Sequence, residues 1–140
     1  MKTACATVVF VILATFFGAI SIGSPVRADE LNLKYCPVFT SRQWVNTYPP
    51  HNSGTQYTVT TSGKGTVTCA QAVTFAKKFV LQKIAAGQGL DTKPVHGGPA
   101  GWKCTAFEDW NGYAYQGHCI APKSSPQGLF PLFEWSPKSE

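Results

Sequence analysis

The sequence predicts an α+β domain: one capped α-helix packed on an antiparallel β-sheet of three to five strands, held by two disulfides. Three observations carry this expectation. Thr68-Cys69-Ala70-Gln71 has the form of a capping box and opens a stretch of helical apolar spacing. Asn111-Gly112, the strongest short hairpin signal, separates two β-rich stretches. Four cysteines remain once an amino-terminal leader is removed, and in an exported chain four cysteines most often close as two bridges.

The leader comes first. Met1-Lys2 gives a positive start, Ala4 to Ile22 is almost unbroken apolar sequence, and Ser24-Pro25 ends the run. Val26-Arg27-Ala28 then sets small residues at the −3 and −1 positions of a cleavage site, ahead of Asp29-Glu30. That is the layout of a signal peptide over residues 1–28. The competing reading is an uncleaved anchor, since the run approaches the ~18–20 residues that cross a bilayer. The proline break and the Val-x-Ala site favour cleavage. Cys5 lies inside the removed segment, at the start of the apolar run, and nothing after residue 29 is long and apolar enough to span a membrane. Residues 29–140 then form a single small secreted domain, with 29–56 an irregular part and 57–135 the helix-plus-sheet core.

Along the mature part, Leu31, Leu33 and Tyr35 alternate ahead of Cys36 and allow a short strand. Tyr48 to Gly54 is turn and loop chemistry, Tyr57 to Thr61 is a β-branched strand, and Gly63-Lys64-Gly65 is a turn without phosphate-loop spacing. The helix follows from Thr68, with Val73, Ala76, Val80 and Ile84 on its apolar stripe and Gln71, Thr74, Lys78 and Gln82 opposite. Gly87 is its natural stop. A helix capped in this way with a cysteine in its first turn packs on its own core more readily than on a membrane. Gly87 to Gly101 reads as a long loop. Its His96-Gly97-Gly98 has the form of the oxyanion loop of some esterases. Those enzymes also need a Gly-x-Ser-x-Gly nucleophile turn, which the chain lacks.

Around Asn111-Gly112, a two-residue turn pairs Trp110 with Tyr113 and carries the register down to Cys104 opposite Cys119. Alternation sets Cys104, Ala106, Glu108, Trp110, Tyr113, Tyr115 and Cys119 on the face toward the helix, and Lys103 and His118 on the other. A third strand is expected around Leu129 to Trp135. The preferred bridges are Cys104–Cys119 and Cys36–Cys69, although a bulge would spoil the register and Cys69 could instead reach a sheet cysteine.

Val67-Thr68-Cys69-Ala70-Gln71-Ala72-Val73, Gly101-Trp102-Lys103-Cys104 and Gly117-His118-Cys119 together resemble small exported proteins of actinobacteria, including mycobacteria. In those a Ser/Thr-Cys-x-x-Ala helix start precedes a Gly-aromatic-x-Cys strand and a further cysteine strand. The resemblance covers roughly residues 66–120. It implies export and a helix-on-sheet fold, and it lends no activity and no catalytic residue.

The chain carries 12 basic and 7 acidic residues; Lys2 and Arg27 leave with the leader, and the net charge falls from +5 to +3. Arg42 is then the only arginine, so nucleic acid is not the expected partner. No close Cys or His pair marks a zinc site. The expected function is that of a non-catalytic, monomeric secreted protein that binds an extracellular protein or envelope component. Its support is the aromatic content, including Trp110, Tyr113, Tyr115, Phe130 and Phe133, and the candidate binding surface is Trp44, Trp102, Trp135 and His96. The alternative is a small hydrolase of nuclease type using His96, His118 and Glu108 with Lys103 as the cation. A metal site from His51, His96 and His118 is weaker still. No cofactor is expected. Histidines converging in a cleft would favour the hydrolase or the metal, and scattered ones a binding surface.

Overall fold

The chain runs β1 (Lys34–Tyr35), β2 (Phe39–Val45), β3 (Ser53–Ser62), α1 (Cys69–Phe79), β4 (Lys93–Pro94), β5 (Lys103–Glu108), β6 (Ala114–Ile120) and β7 (Leu132–Pro137). The computed structural model describes residues 33–62, 67–87, 91–122 and 132–138. The leader, the Gly63-Lys64-Gly65 turn, Leu129 and Phe130 lie outside the described residues.

All strand pairings are antiparallel, in the order β1-β3-β7-β6-β5-β4, with β2 also on β3. Among the described residues there are one helix, an antiparallel sheet and two disulfides, but the sheet has seven strands where three to five were expected. The N-terminal part, described from residue 33, is also not irregular. Residues 39–45 form a strand whose Phe39 and Trp44 are buried. A register shift between Thr40 and Trp44 interrupts its alternation, so the polar Thr40-Ser41-Arg42-Gln43 hides the period of two. Similarly, the loop before Gly101 contains β4, which pairs with β5 at Ala106 and Thr105.

The long central strand β3 takes β1 and β2 along one edge and β7 along the other. Period-two alternation splits the sheet into two faces. Tyr57, Val59, Phe133, Trp135, Cys119, Cys104 and Ala106 are buried on the inner face. The helix lays Ala72, Ala76 and Phe79 on it, and the Phe79 ring sits 4.9 Å from Trp135 and 6.3 Å from Phe133. Gly117 is required here: a Cβ at that position would come within 2.6 Å of the Trp135 ring. The Trp135 indole N–H is the buried side-chain polar group without a partner among the described residues.

The helix starts as its sequence dictates. Gln71 N donates to Thr68 Oγ1 at 3.3 Å and Thr68 N donates to Gln71 Oε1 at 3.0 Å, closing the capping box. It stops early, at a C-cap of Val80 and not near Gly87. The reason is competition from the β5–β6 hairpin. Ala114 N donates to Gln82 O and Ile84 N to Gly112 O, so residues 82–84 are drawn into strand-like pairing, with Lys83 bridged to Tyr113. Ile84 thus lies beyond the helix, and Ala72 replaces Val73 at the centre of the buried stripe.

The hairpin differs from the two-residue turn. Asp109 N donates to Tyr113 O, Gly112 N donates to Asp109 O, and Gly112 has φ +85°, so Trp110-Asn111-Gly112 form a three-residue loop. Trp110 is not paired with Tyr113. It lies exposed in the loop, and Tyr113 and Tyr115 are only half-buried. A bulge then leaves Tyr115 between the pairs Glu108–Ala114 and Phe107–Gln116. The longer turn and the bulge cancel, and Cys104 stands opposite Cys119. These two are bonded, as are Cys36 and Cys69, which join the end of β1 to the first helical residue. Bridges closing loops of this size add about 3–4 kcal/mol each by restricting the unfolded chain.

Candidate functional site

Two polar regions stand out. The first is buried. Asp109 has no exposed surface, and its carboxylate accepts from Arg42 Nη1 at 2.9 Å, Val45 N at 3.4 Å, and Asn111 N and Tyr113 N at 3.0 Å each. The Arg42 guanidinium lies 4.0 Å from the Tyr113 ring centre, and the Arg42 carbonyl accepts from the Tyr57 hydroxyl at 3.2 Å. Trp110 N to Val45 O and Thr47 Oγ1 to Glu108 O, each 2.9 Å, complete the joint between β2 and the hairpin. Burial pushes the Tyr57 hydroxyl up to about 12; Arg42 opposes the shift and the Asp109 charge adds to it. The Asp109 carboxylate thus accepts two hydrogen bonds at each oxygen, and the cluster acts as a structural clamp between β2 and the hairpin.

The second region is open. A cleft of ≈ 440 Å³ lies where the β2–β3 hairpin faces the strands β6 and β7. Trp44 and Asn46 at the end of β2, with Asn52 and Ser53 at the start of β3, form one wall. Tyr115 and Gln116 of β6, with Ser136 and Pro137 of β7, form the other. The bulge at Tyr115 brings two successive β6 residues, Tyr115 and Gln116, to the same cleft. Gln116 and Ser136 also line a second groove of ≈ 200 Å³ on the outer face of the sheet, with Thr58, Thr60, Phe107, His118 and Glu134. In register, Thr60, Glu134, His118 and Thr105 form one row across β3, β7, β6 and β5.

The cleft walls are held firmly. Asn46 N donates to Asn52 O at 2.8 Å, Asn46 Oδ1 accepts from Tyr48 N at 3.1 Å, and Ser53 Oγ accepts from Gln43 Nε2 at 3.2 Å. The Trp44 indole N–H donates to Gln56 O at 3.1 Å. By contrast, the side-chain amides of Asn52 and Gln116 make no hydrogen bond among the described residues. Burial raises the Tyr115 hydroxyl, with Asp109 and Tyr48 adding to the effect, so it stays a protonated donor.

The expected binding surface needs correction. Trp44 and Trp135 are 6% and 1% exposed, so both are core residues, although Trp44 also floors the cleft. Trp102 is half-buried with its ring 6.1 Å from Phe133. Only His96 of that set is exposed, on the loop after β4, where its backbone pairs with the Gln82 side chain. The exposed tryptophan among the described residues is Trp110, whose ring lies 4.4 Å from that of His51 at a tilt of 55°. The sequence holds no sign of Asn46, Asn52, Ser53, Gln116 or Ser136, which read as ordinary turn and strand polar residues until the register gathers them.

The structure does not gather the hydrolase set. Glu108 is buried on the inner face, accepting from Gly87 N, whereas His118 belongs to the outer face and His96 to the loop. His51 lies at the hairpin end, against Trp110. Among the described residues no group of three His, Cys, Asp or Glu side chains is placed to hold a metal, and no helix is long and apolar enough to cross a membrane. Comparison with protein-family models, with curated proteins and with solved structures finds no match.

Proposed function

We propose that this chain is a small exported binding protein that engages an extracellular or envelope partner without covalent chemistry, through the cleft between the β2–β3 hairpin and β6. The observation that carries this reading is the contrast within one molecule between polar groups spent on internal bonds and polar groups turned to solvent in a cleft. The buried Asp109 cluster uses its polar groups internally, whereas the cleft presents the amides of Asn52 and Gln116 unused beside hydrogen-bonded, preorganised walls. Walls already fixed lose little entropy when a ligand arrives. A cleft of this volume is in the range of small-ligand sites.

The test is retention. The exported protein is mixed with the insoluble envelope fraction of the cells that secrete it, alongside the double variant Asn52→Ala, Gln116→Ala. Retention of the first and release of the second, with equal thermal unfolding midpoints, supports the cleft as the binding region. Equal behaviour of the two proteins removes it.

A further inference from the structure

Resting on that reading, we propose that the cleft takes an uncharged, polyhydroxylated ligand: a segment of neutral carbohydrate. The chain is basic overall, with a formal net charge of +5 that becomes +3 without Lys2 and Arg27 of the leader, yet none of the residues lining the cleft is charged. Arg42, which precedes the cleft wall in β2, is committed to Asp109 at 2.9 Å. An anionic or cationic ligand would therefore lose water without gaining a counter-charge. A wholly apolar ligand would fare no better, because it would cover the Asn52 and Gln116 amides and leave them unpaired.

A sugar meets both conditions. Each hydroxyl is a donor and an acceptor, and each side-chain amide offers two donors and an acceptor. Asn46 is oriented by the bond that its Oδ1 accepts from Tyr48 N, which leaves its amide N–H groups for a ligand. Ser53 accepts from Gln43 and keeps its O–H to donate. The apolar C–H face of a sugar ring has the half-buried Tyr115 ring to pack against, with a phenol that remains a donor at its edge. The cleft and the outer-face groove share Gln116 and Ser136, so a ligand longer than one ring has a continuous path over the sheet toward His118.

The probes are uncharged oligosaccharides of glucose and mannose, from the monosaccharide upward, with a heparin fragment as the anionic counter-probe. Binding to the full exported chain is followed by tryptophan fluorescence and by calorimetry. The expected result is binding that tightens with oligomer length, is insensitive to salt, and weakens about tenfold in Gln116→Ala. Tyr115→Leu should weaken it by a similar factor, and Tyr115→Phe less. The same oligosaccharides should release the protein from the envelope fraction. Cleft-dependent retention that no neutral oligosaccharide competes, or that heparin and salt abolish, overturns the carbohydrate and leaves the binding site standing. Absence of both retention and oligosaccharide binding overturns the two together.

Discussion

The two faces of the sheet do different work with the same backbone. On the inner face, the rings of Phe79 from the helix and of Phe133 and Trp135 from the sheet pack within 6.3 Å of one another, and the clamp around Asp109 ties β2 to the hairpin. On the outer face, Thr58, Thr60, Gln116, His118, Glu134 and Ser136 stand on the same strands with no element over them among the described residues. Neighbouring residues in one strand thus belong to different tasks: Trp135 to stability, and Glu134 and Ser136 to the surface. The difference teaches that the tolerance of a position here follows its parity in the strand more closely than its chemical type.

The largest expected effect breaks the inner side. Asp109→Ala removes the acceptor of four hydrogen bonds and leaves the Arg42 guanidinium, with a side chain 17% exposed, without its counter-charge. Breaking a pair of this kind costs about 3–5 kcal/mol, a large share of a small domain's stability. Urea unfolding followed by tryptophan fluorescence measures it. A loss below about 1 kcal/mol, the size of a surface change, would show that the clamp is dispensable and that the helix-covered aromatics hold the sheet alone.

A second effect sharpens the inner side by pH. The Tyr57 hydroxyl is raised from 10.0 to about 12 chiefly by burial. Between these values the unfolded chain releases the proton and the folded chain keeps it, so stability falls as pH rises. The stability is fully present below about pH 10 and declines by on the order of 2–3 kcal/mol as pH approaches 12. In Tyr57→Phe this part of the alkaline slope should vanish, and the loss of the bond to Arg42 O should cost about 1 kcal/mol at neutral pH. Identical slopes for the two proteins would place the alkaline sensitivity elsewhere. Smaller again, Thr68→Ala opens the capping box and should cost about 1 kcal/mol, read as a lower urea midpoint at unchanged slope.

These elements also mark how far the sequence could be read. The helix start was legible because the capping box is local: Thr68 and Gln71 satisfy each other within one turn. Its end was not, because the hairpin captures Gln82 to Ile84 from a distance in sequence. The Cys104–Cys119 register was reachable from Asn111-Gly112 only because two departures, a three-residue loop and a bulge at Tyr115, cancel. Aromatic content pointed to binding, but an indole's type does not reveal its side of the sheet, and Trp44 and Trp135 went inward. The cleft was invisible for a related reason. Its amides come from segments 46–53 and 115–116, and nothing in either segment announces the other.

The smallest effect tests the outer face directly. Glu134 is exposed and stands in register between Thr60 and His118. Glu134→Gln keeps its length and its acceptor while removing its charge, so stability should stay within about 0.5 kcal/mol of the parent. Trp135→Ala, one residue along, empties the space over Gly117 and should cost about 3–5 kcal/mol. Adjacent residues that differ this widely in unfolding midpoint would make strand parity the rule for the whole sheet. A loss of more than about 1 kcal/mol in Glu134→Gln would instead mean that the row Thr60–Glu134–His118–Thr105 supports the fold, and that the outer face is not free to serve binding alone.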